Sequence, residues 1–490
     1  MTTGALWRQF GFLMFLGLVT GMSPDASGQT GAAGGSAKTE GPSTWVELGE
    51  NGAIIARQAI PTRKGLTPTC PPIQISGVPN PPTMMQQRES PAENYPVVVC
   101  EAVIPNAAKS AMIGNISLPL PKAAIDKIVV IGDTGCKGDT TGLGIKVTPL
   151  EEPDEEAEEA EEAAAAPSSK AKSKLQDCPS HSDWPFPTVA KNAAAAKPDL
   201  IVHVGDYIYV SDENWIQWYT QFLKPAGDLL LAAPWIFVRG NHETCGRHGP
   251  GFFYLLDPRP ITSTTISCPS EHTSPYLVKA GGSQFVVMDS SGADCDFAPG
   301  EPEGCKEKDY STEVATWTGL FTQAKQLIIS GDAMLLTHRP VWAVKPPKSK
   351  DPLPKDYCQS DTTGRVLIGI NSTMQASYSA AGMTGINMVV SGHIHNFQLA
   401  TYQKQKSGND PHPQIVVGDS GTELATPPPS TLKNCKLKAE SGHLDLSTFQ
   451  GMHEFGFGVL KGDGTSFDLY SKKGDRALKC SIGRHEATCK

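Results

Sequence analysis

The sequence predicts an α/β chain, and three observations lead there. Short apolar, β-branched runs recur at 127–131, 200–204, 235–238, 284–288, 333–336, 387–390 and 414–417, each the length of a buried strand. Helical stretches lie between several of them, at 188–196, 215–223 and 313–329, the last with Ser311 or Thr312 as an N-cap candidate. Short polar islands stand just beyond most of the runs. In layered α/β domains ligands collect beyond the carboxyl ends of the strands.

Taken in order, the chain opens as an export signal over 1–28: Arg8 is a positive flank, Phe10 to Thr20 an apolar core, and Ala26-Ser27-Gly28 a small-residue cleavage site. The apolar run is too short to span a bilayer comfortably, and no later run is long enough, so no membrane partner is expected after signal removal. Residues 29–43, rich in Gly, Ala, Ser and Thr, read as a disordered linker. Residues 44–122 carry short β-like runs broken by prolines and read as a small β-rich module. The main α/β domain spans 123–425, with a low-complexity insertion at 147–177 that leaves from the Asp133 loop and could act as a substrate gate or as a solvated helix or loop. Residues 426–490 supply a surface loop and a hairpin, 456–460 and 467–470, turning at Asp463-Gly464.

The net charge of −9 is local. Residues 151–162 hold nine acids and no base, and the remaining 42 acids balance 42 bases. No basic field for nucleic acid follows from that balance. Twelve cysteines in an exported chain argue for disulfides and a secreted or periplasmic location. Pairing by proximity gives Cys70–Cys100, Cys136–Cys178, Cys245–Cys268, Cys295–Cys305, Cys358–Cys435 and Cys480–Cys489.

The islands are Gly132-Asp133-Thr134-Gly135, Gly205-Asp206-Tyr207-Ile208-Tyr209, Gly240-Asn241-His242-Glu243, Thr337-His338-Arg339-Pro340 and Gly392-His393-Ile394-His395, with a less sharp sixth at Asp289-Ser290-Ser291. Asp, Asn, His and Tyr offer oxygen and nitrogen donors suited to Fe, Zn or Mn, not to a thiolate site. A carboxylate has two oxygens, so Asp206 can bridge two ions.

Those motifs resemble the calcineurin-like metallophosphoesterase superfamily, nearest to its purple acid phosphatase pattern, over roughly residues 125–420. Many members carry a histidine where this chain has Gly135, and purple acid phosphatases use a tyrosine at the position of Tyr209. The resemblance implies a four-layer α/β/β/α sandwich. It implies a first metal, Fe(III), on Asp133, Asp206, Tyr209 and His395. A second metal, Zn, Fe(II) or Mn, falls to Asp206, Asn241, His338 and His393. Asn241, His242 and Arg339 become candidate substrate contacts, with His242 stabilising the transition state or protonating the leaving group. The implied reaction is phosphomonoester hydrolysis by a metal-bound hydroxide. A phosphodiesterase or nucleotidase using the same site, and a non-catalytic metal-binding surface protein, remain alternatives. Tyr207 is a second candidate tyrosine, Glu243 a supporting residue, Arg247 and His248 solvated loop residues, His203 a packed histidine and Asp289 a turn cap. Asn115 and Asn371 head glycosylation sequons.

Overall fold

A computed structural model describes residues 41–62, 67–89, 95–139, 175–260, 268, 270–295, 305–344, 367–368, 371–404, 411–425, 430–439 and 442–490. The signal, most of the linker and most of the insertion, with its gating role, lie outside the described residues.

Two large mixed sheets carry the architecture. In the first, Leu200–His203 runs parallel between Lys127–Ile131 and Trp235–Phe237. Ser43–Leu48 pairs parallel with Trp235–Phe237, so the strands of the N-terminal stretch extend this sheet through Ile54–Pro61 and Val97–Ile104. The C-terminal hairpin, Gly456–Lys461 with Ser466–Ser471, adds to its other side against Lys127–Ile131. In the second sheet Ser283–Val287, Ala333–Leu336, Ile386–Ser391 and Gln414–Val417 are parallel neighbours. All seven strands expected within 123–425 form where the apolar runs place them.

The period of two in a strand decides which residues meet. Ile128 and Val130 of the first sheet join Phe285, Val287, Met334, Leu336, Met388 and Val390 of the second in one core. The alternate residues Val129 and Ile131 pack outward on Phe186 and Val189 of the helix Phe186–Ala195. Val286, Leu335 and Val389 do the same against Trp317 and Phe321 of the helix Glu307–Leu327 and Met374 of Ser372–Ala380. These contacts give two mixed sheets that share a core and carry helices on their other faces, consistent with the expected α/β fold. Ile128→Ala, in the shared core, would cost about 2–5 kcal/mol.

The helix expected at 313–329 begins earlier, at Glu307. Ser311 and Thr312 are not its cap; their hydroxyls donate to the Lys308 carbonyl inside the first turns. Hydroxyls in that role satisfy themselves on the helix backbone and leave no start signal. Asn371 is fully buried and caps Ser372–Ala380 through Met374 N at 2.9 Å, so that sequon is closed, whereas Asn115 is exposed. Five of the six expected disulfides are present: Cys70–Cys100, Cys136–Cys178, Cys245–Cys268, Cys295–Cys305 and Cys480–Cys489. Cys358 lies outside the described residues. So many bridges fit an extracellular or periplasmic protein. Among the described residues no helix is long and apolar enough to cross a membrane.

Candidate metal centre

The polar islands converge where the two sheets' parallel strands end. Asp133 and Asp206 follow 127–131 and 200–203, Asn241 follows 235–237, His338 follows 333–336, and His393 and His395 follow 386–391. Asp133, Asp206 and His393 hold left-handed backbone, with φ of 55°, 61° and 74°. Non-glycine residues bear that conformation mainly where surroundings force it, often at functional sites. Gly205, at φ 103°, makes the turn into Asp206; a Cβ there would stand 2.5 Å from His338 Nδ1.

Two groups of donor atoms form. In one, the Tyr209 hydroxyl lies 2.9 Å from Asp206 Oδ2, 3.1 Å from Asp133 Oδ1 and 3.0 Å from His395 Nε2. In the other, Asn241 Oδ1 lies 2.8 Å from His338 Nε2 and 3.0 Å from His393 Nδ1. Asp206 Oδ2 belongs to both, since it is also 3.2 Å from His338 Nε2. Ligand atoms of Asp133, Asp206 and His338 all fall within 4.8 Å of one another.

The donor chemistry fits cations. His338 Nδ1 donates to the Val204 carbonyl at 2.8 Å, which in the neutral ring leaves Nε2 as a lone pair. That lone pair faces the Asn241 oxygen and an Asp206 oxygen, three electron-rich atoms that a cation would reconcile. One tyrosine proton likewise cannot satisfy two carboxylates. Burial raises the Asp206 carboxyl, whereas the rings of His338 and His242, whenever they carry a proton, and the His242 amide pull it well below the usual carboxylate range; a cation in place of those protons would act in the same direction. Burial, and the Arg339 cation beside it, push His393 well below the imidazole range, so it presents a lone pair.

Each donor is held by a neighbour. Both Asp133 oxygens accept the His393 amide, at 3.1 and 3.0 Å. Glu243 is fully buried and takes three backbone amides, those of Asp206 and Gly240 at 3.0 Å and Tyr207 at 2.8 Å. It therefore shapes the Asp206 and Asn241 loops at once. His203, fully buried, accepts Gly205 N through Nδ1 and pairs its Nε2 with Thr134 Oγ1 at 2.8 Å. Ser290 Oγ accepts the amides of His338 at 3.1 Å and Arg339 at 2.9 Å.

The two tyrosines separate cleanly. Tyr207 turns into the core and donates to the Val238 carbonyl at 3.0 Å, while Tyr209 reaches the carboxylates. A Cβ on Gly135 would meet the Tyr209 ring at 2.7 Å. The tyrosine thus fills the space a larger residue at 135 would need, a steric reason for the two departures to occur together.

The half-buried His242 ring lies tilted beside Tyr209, at a centroid distance of 4.1 Å. Arg339 is buried, with Nη1 3.4 Å from His393 Nε2 and Nη2 2.7 Å from Asp294 Oδ1. Asp289 is not merely a turn cap: it pairs with Arg239 at 3.0 Å and accepts Thr273 and Ser291 hydroxyls. His248, read as solvated, is 1% exposed. Its ring touches Glu213 and the Val210 carbonyl, contacts that loop composition does not disclose because both partners lie far along the chain. Gln221, another contributor the sequence hides, accepts Cys136 N at 3.0 Å from inside an apolar helical stretch.

The fold and these donors define an α/β protein with a candidate metal site, lined by oxygen and nitrogen atoms, at the strand ends. A family model for calcineurin-like phosphoesterases matches residues 126–397, more than half the chain, and the chain belongs to that family. No match was found among curated proteins. Among solved structures it is similar to purple acid phosphatase PPD1 from yellow lupin (Lupinus luteus) seeds, at 13% identity and TM-score 0.46, covering 92% of this chain and 74% of that one. It is also similar to PhoD, at 10% identity and TM-score 0.43, covering 92% and 91%. Family membership rests on the family match, not on these likenesses.

Proposed function

We propose that the chain hydrolyses phosphomonoesters at two metal ions held by overlapping donor sets. Asp133, Asp206, Tyr209 and His395 would hold the first, and Asp206, Asn241, His338 and His393 the second. One observation carries the reading: Asp206 Oδ2 stands between Tyr209 Oη, at 2.9 Å, and His338 Nε2, at 3.2 Å. A phenolate suits Fe(III) at the first position, and imidazoles with an amide oxygen suit Zn, Fe(II) or Mn at the second. Bound there, the ions supply Lewis acidity and lower the pKa of water.

The chain's own residues supply the rest. His242 keeps its ring beside that of Tyr209 while its amide donates to Asp206 Oδ1 at 3.0 Å. An imidazole so placed can give a proton to the departing alkoxide oxygen. Arg339 adds a fixed positive charge beside His393, and Asn241 an amide group, that favour an anionic phosphate.

The test is hydrolysis of a matched nitrophenyl phosphate monoester and diester, from acidic to neutral pH, with metals restored. Faster monoester turnover is expected. Faster diester turnover would replace the reading with a phosphodiesterase or nucleotidase. Tight metal binding with neither activity would leave a metal-binding surface protein.

A further inference from the structure

Tyr209 lies just past a strand, in a stretch without regular structure that runs to the Asn214 cap of the next helix. Its position is nonetheless fixed from both sides. Its amide faces Gln221 Oε1 at 3.5 Å, the same oxygen that accepts Cys136 N from the Asp133 loop. Gln221 is fully buried, and its own amide donates to Gln217 Oε1 at 3.0 Å. It sits in Trp218–Leu223, a π-helical turn, and such turns re-aim side chains and recur at functional sites.

On the other side, the Val210 carbonyl meets His248 Nε2 at 2.5 Å, and His248 Nδ1 lies 2.7 Å from Glu213 Oε2. Both ring nitrogens face oxygen atoms, so the ring is held from two sides. The other Glu213 oxygen accepts Gly251 N at 2.9 Å and the Tyr95 hydroxyl. A Cβ on Gly251 would meet Trp218 Nε1 at 1.9 Å, so this junction is closely packed. Burying such a pair costs desolvation that apolar packing would avoid, so it adds little net stability. What it does add is one defined place for the Val210 carbonyl, and hence for the residue before it.

We propose that His248 and Glu213, with Gln221, form a clamp that positions Tyr209. Their contacts described above fall on the Tyr209 and Val210 backbone and not on the donor atoms, which makes them positioning residues. The inference rests on Tyr209 being a ligand for its functional meaning, but the clamp itself can be tested without metal.

The experiment compares wild type, His248→Gln and Tyr95→Phe. Hydrogen exchange in the metal-free protein is expected to speed by about tenfold at amides 209–214 in His248→Gln, with amides 392–396 unchanged. Tyr95→Phe, which removes one contact to Glu213 and spares the fold, should speed the same amides by about twofold and covers the case in which His248→Gln does not fold. Unchanged exchange at 209–214 overturns the clamp, and so does uniform acceleration across the protein, which marks a merely structural pair. In iron-loaded protein the visible tyrosinate band should shift or weaken in His248→Gln at equal iron content; an unmoved band overturns the positioning role. Colourless wild type, or a Tyr209→Phe variant that keeps the colour, would remove the ligand reading while leaving the exchange result to decide the clamp.

Discussion

The centre has two unlike halves. Asp133, Asp206, Tyr209 and Asn241 come from loops after strands of the first sheet and bring every oxygen donor. His338, His393 and His395 come from the second sheet and bring the three imidazoles among those donors. The oxygen half is braced within its own sheet, by Glu243 on three amides and by His203. The imidazole half leans across: His338 Nδ1 donates to Val204 of the first sheet and the His393 amide to Asp133. Neither half is a complete donor set, so the centre exists only when the sheets are packed on their shared core.

The sharpest way to break that complementarity is Asp206→Asn. The carboxylate is the one group common to both donor clusters, and an amide would leave one side facing a nitrogen donor. Activity on the nitrophenyl monoester is expected to fall about a thousand-fold or more, roughly 4 kcal/mol. Metal analysis should show loss at both positions. Retention of both metals with near-normal turnover would mean the halves do not share a ligand.

The strand Gln414–Val417 joins the halves, because the loop after it gives Thr422 N to the Asp133 carbonyl and Ala425 N to that of His395. Its two flanks carry buried groups of opposite pH behaviour. Burial, with Glu454 adding to it, raises the Asp419 carboxyl from 3.8 to about 7, and among the described residues neither oxygen has a side-chain hydrogen-bond partner. Burial, then the Arg484 charge, lowers His412 from 6.5 to about 3. The folded state holds a proton on Asp419 that the unfolded chain has released, so that contribution is present below 3.8 and lost as pH rises through about 7. The folded state refuses a proton on His412, so its contribution is present above 6.5 and lost as pH falls through about 3. Each is at most about 5 kcal/mol, and the slopes oppose. Denaturant unfolding should therefore give a shallow pH dependence in wild type. Asp419→Asn should lose stability as pH falls from about 6.5, and His412→Asn as it rises from about 4. Parallel curves for all three proteins would refute the opposition.

His242→Ala tests whether chemistry, rather than binding, lies on the oxygen half. With the ligands untouched, kcat should fall about a hundred-fold while metal content holds. An aryl ester with an acidic leaving group should suffer less than an alkyl one if the ring donates a proton. Equal loss on both would assign His242 to charge stabilisation instead.

Much of this was legible in the residues because strand ends and ligands share one grammar: an apolar run, then a short polar island. All seven runs became strands, and the second-sheet histidines meet the first-sheet acids as the resemblance implied. What stayed hidden depends on contacts distant in sequence. His248 looked solvated beside glycines, yet Glu213 and Val210 bury it. The start of the Glu307–Leu327 helix was missed because Lys306, not a side-chain cap, precedes it. The N-terminal run looked separate because no local signal announces that Ser43–Leu48 will pair with Trp235–Phe237.

Ser290 gives the smallest and most diagnostic contrast. It lies in the weakest of the islands, and its hydroxyl oxygen is the only brace the second sheet itself offers to the His338 and Arg339 amides among those described. Ser290→Ala removes one acceptor from two buried amides. A water entering the small gap can recover part of the loss, so the cost should be about 1 kcal/mol in unfolding and about tenfold in metal affinity. On the proposed two-metal reading the loss should fall on the second metal, whose proposed donors include His338, and leave any tyrosinate colour from the first unchanged. A colour change would show that the two halves are coupled through more than Asp206, and the comparison between a self-braced and a leaning half would have to be redrawn.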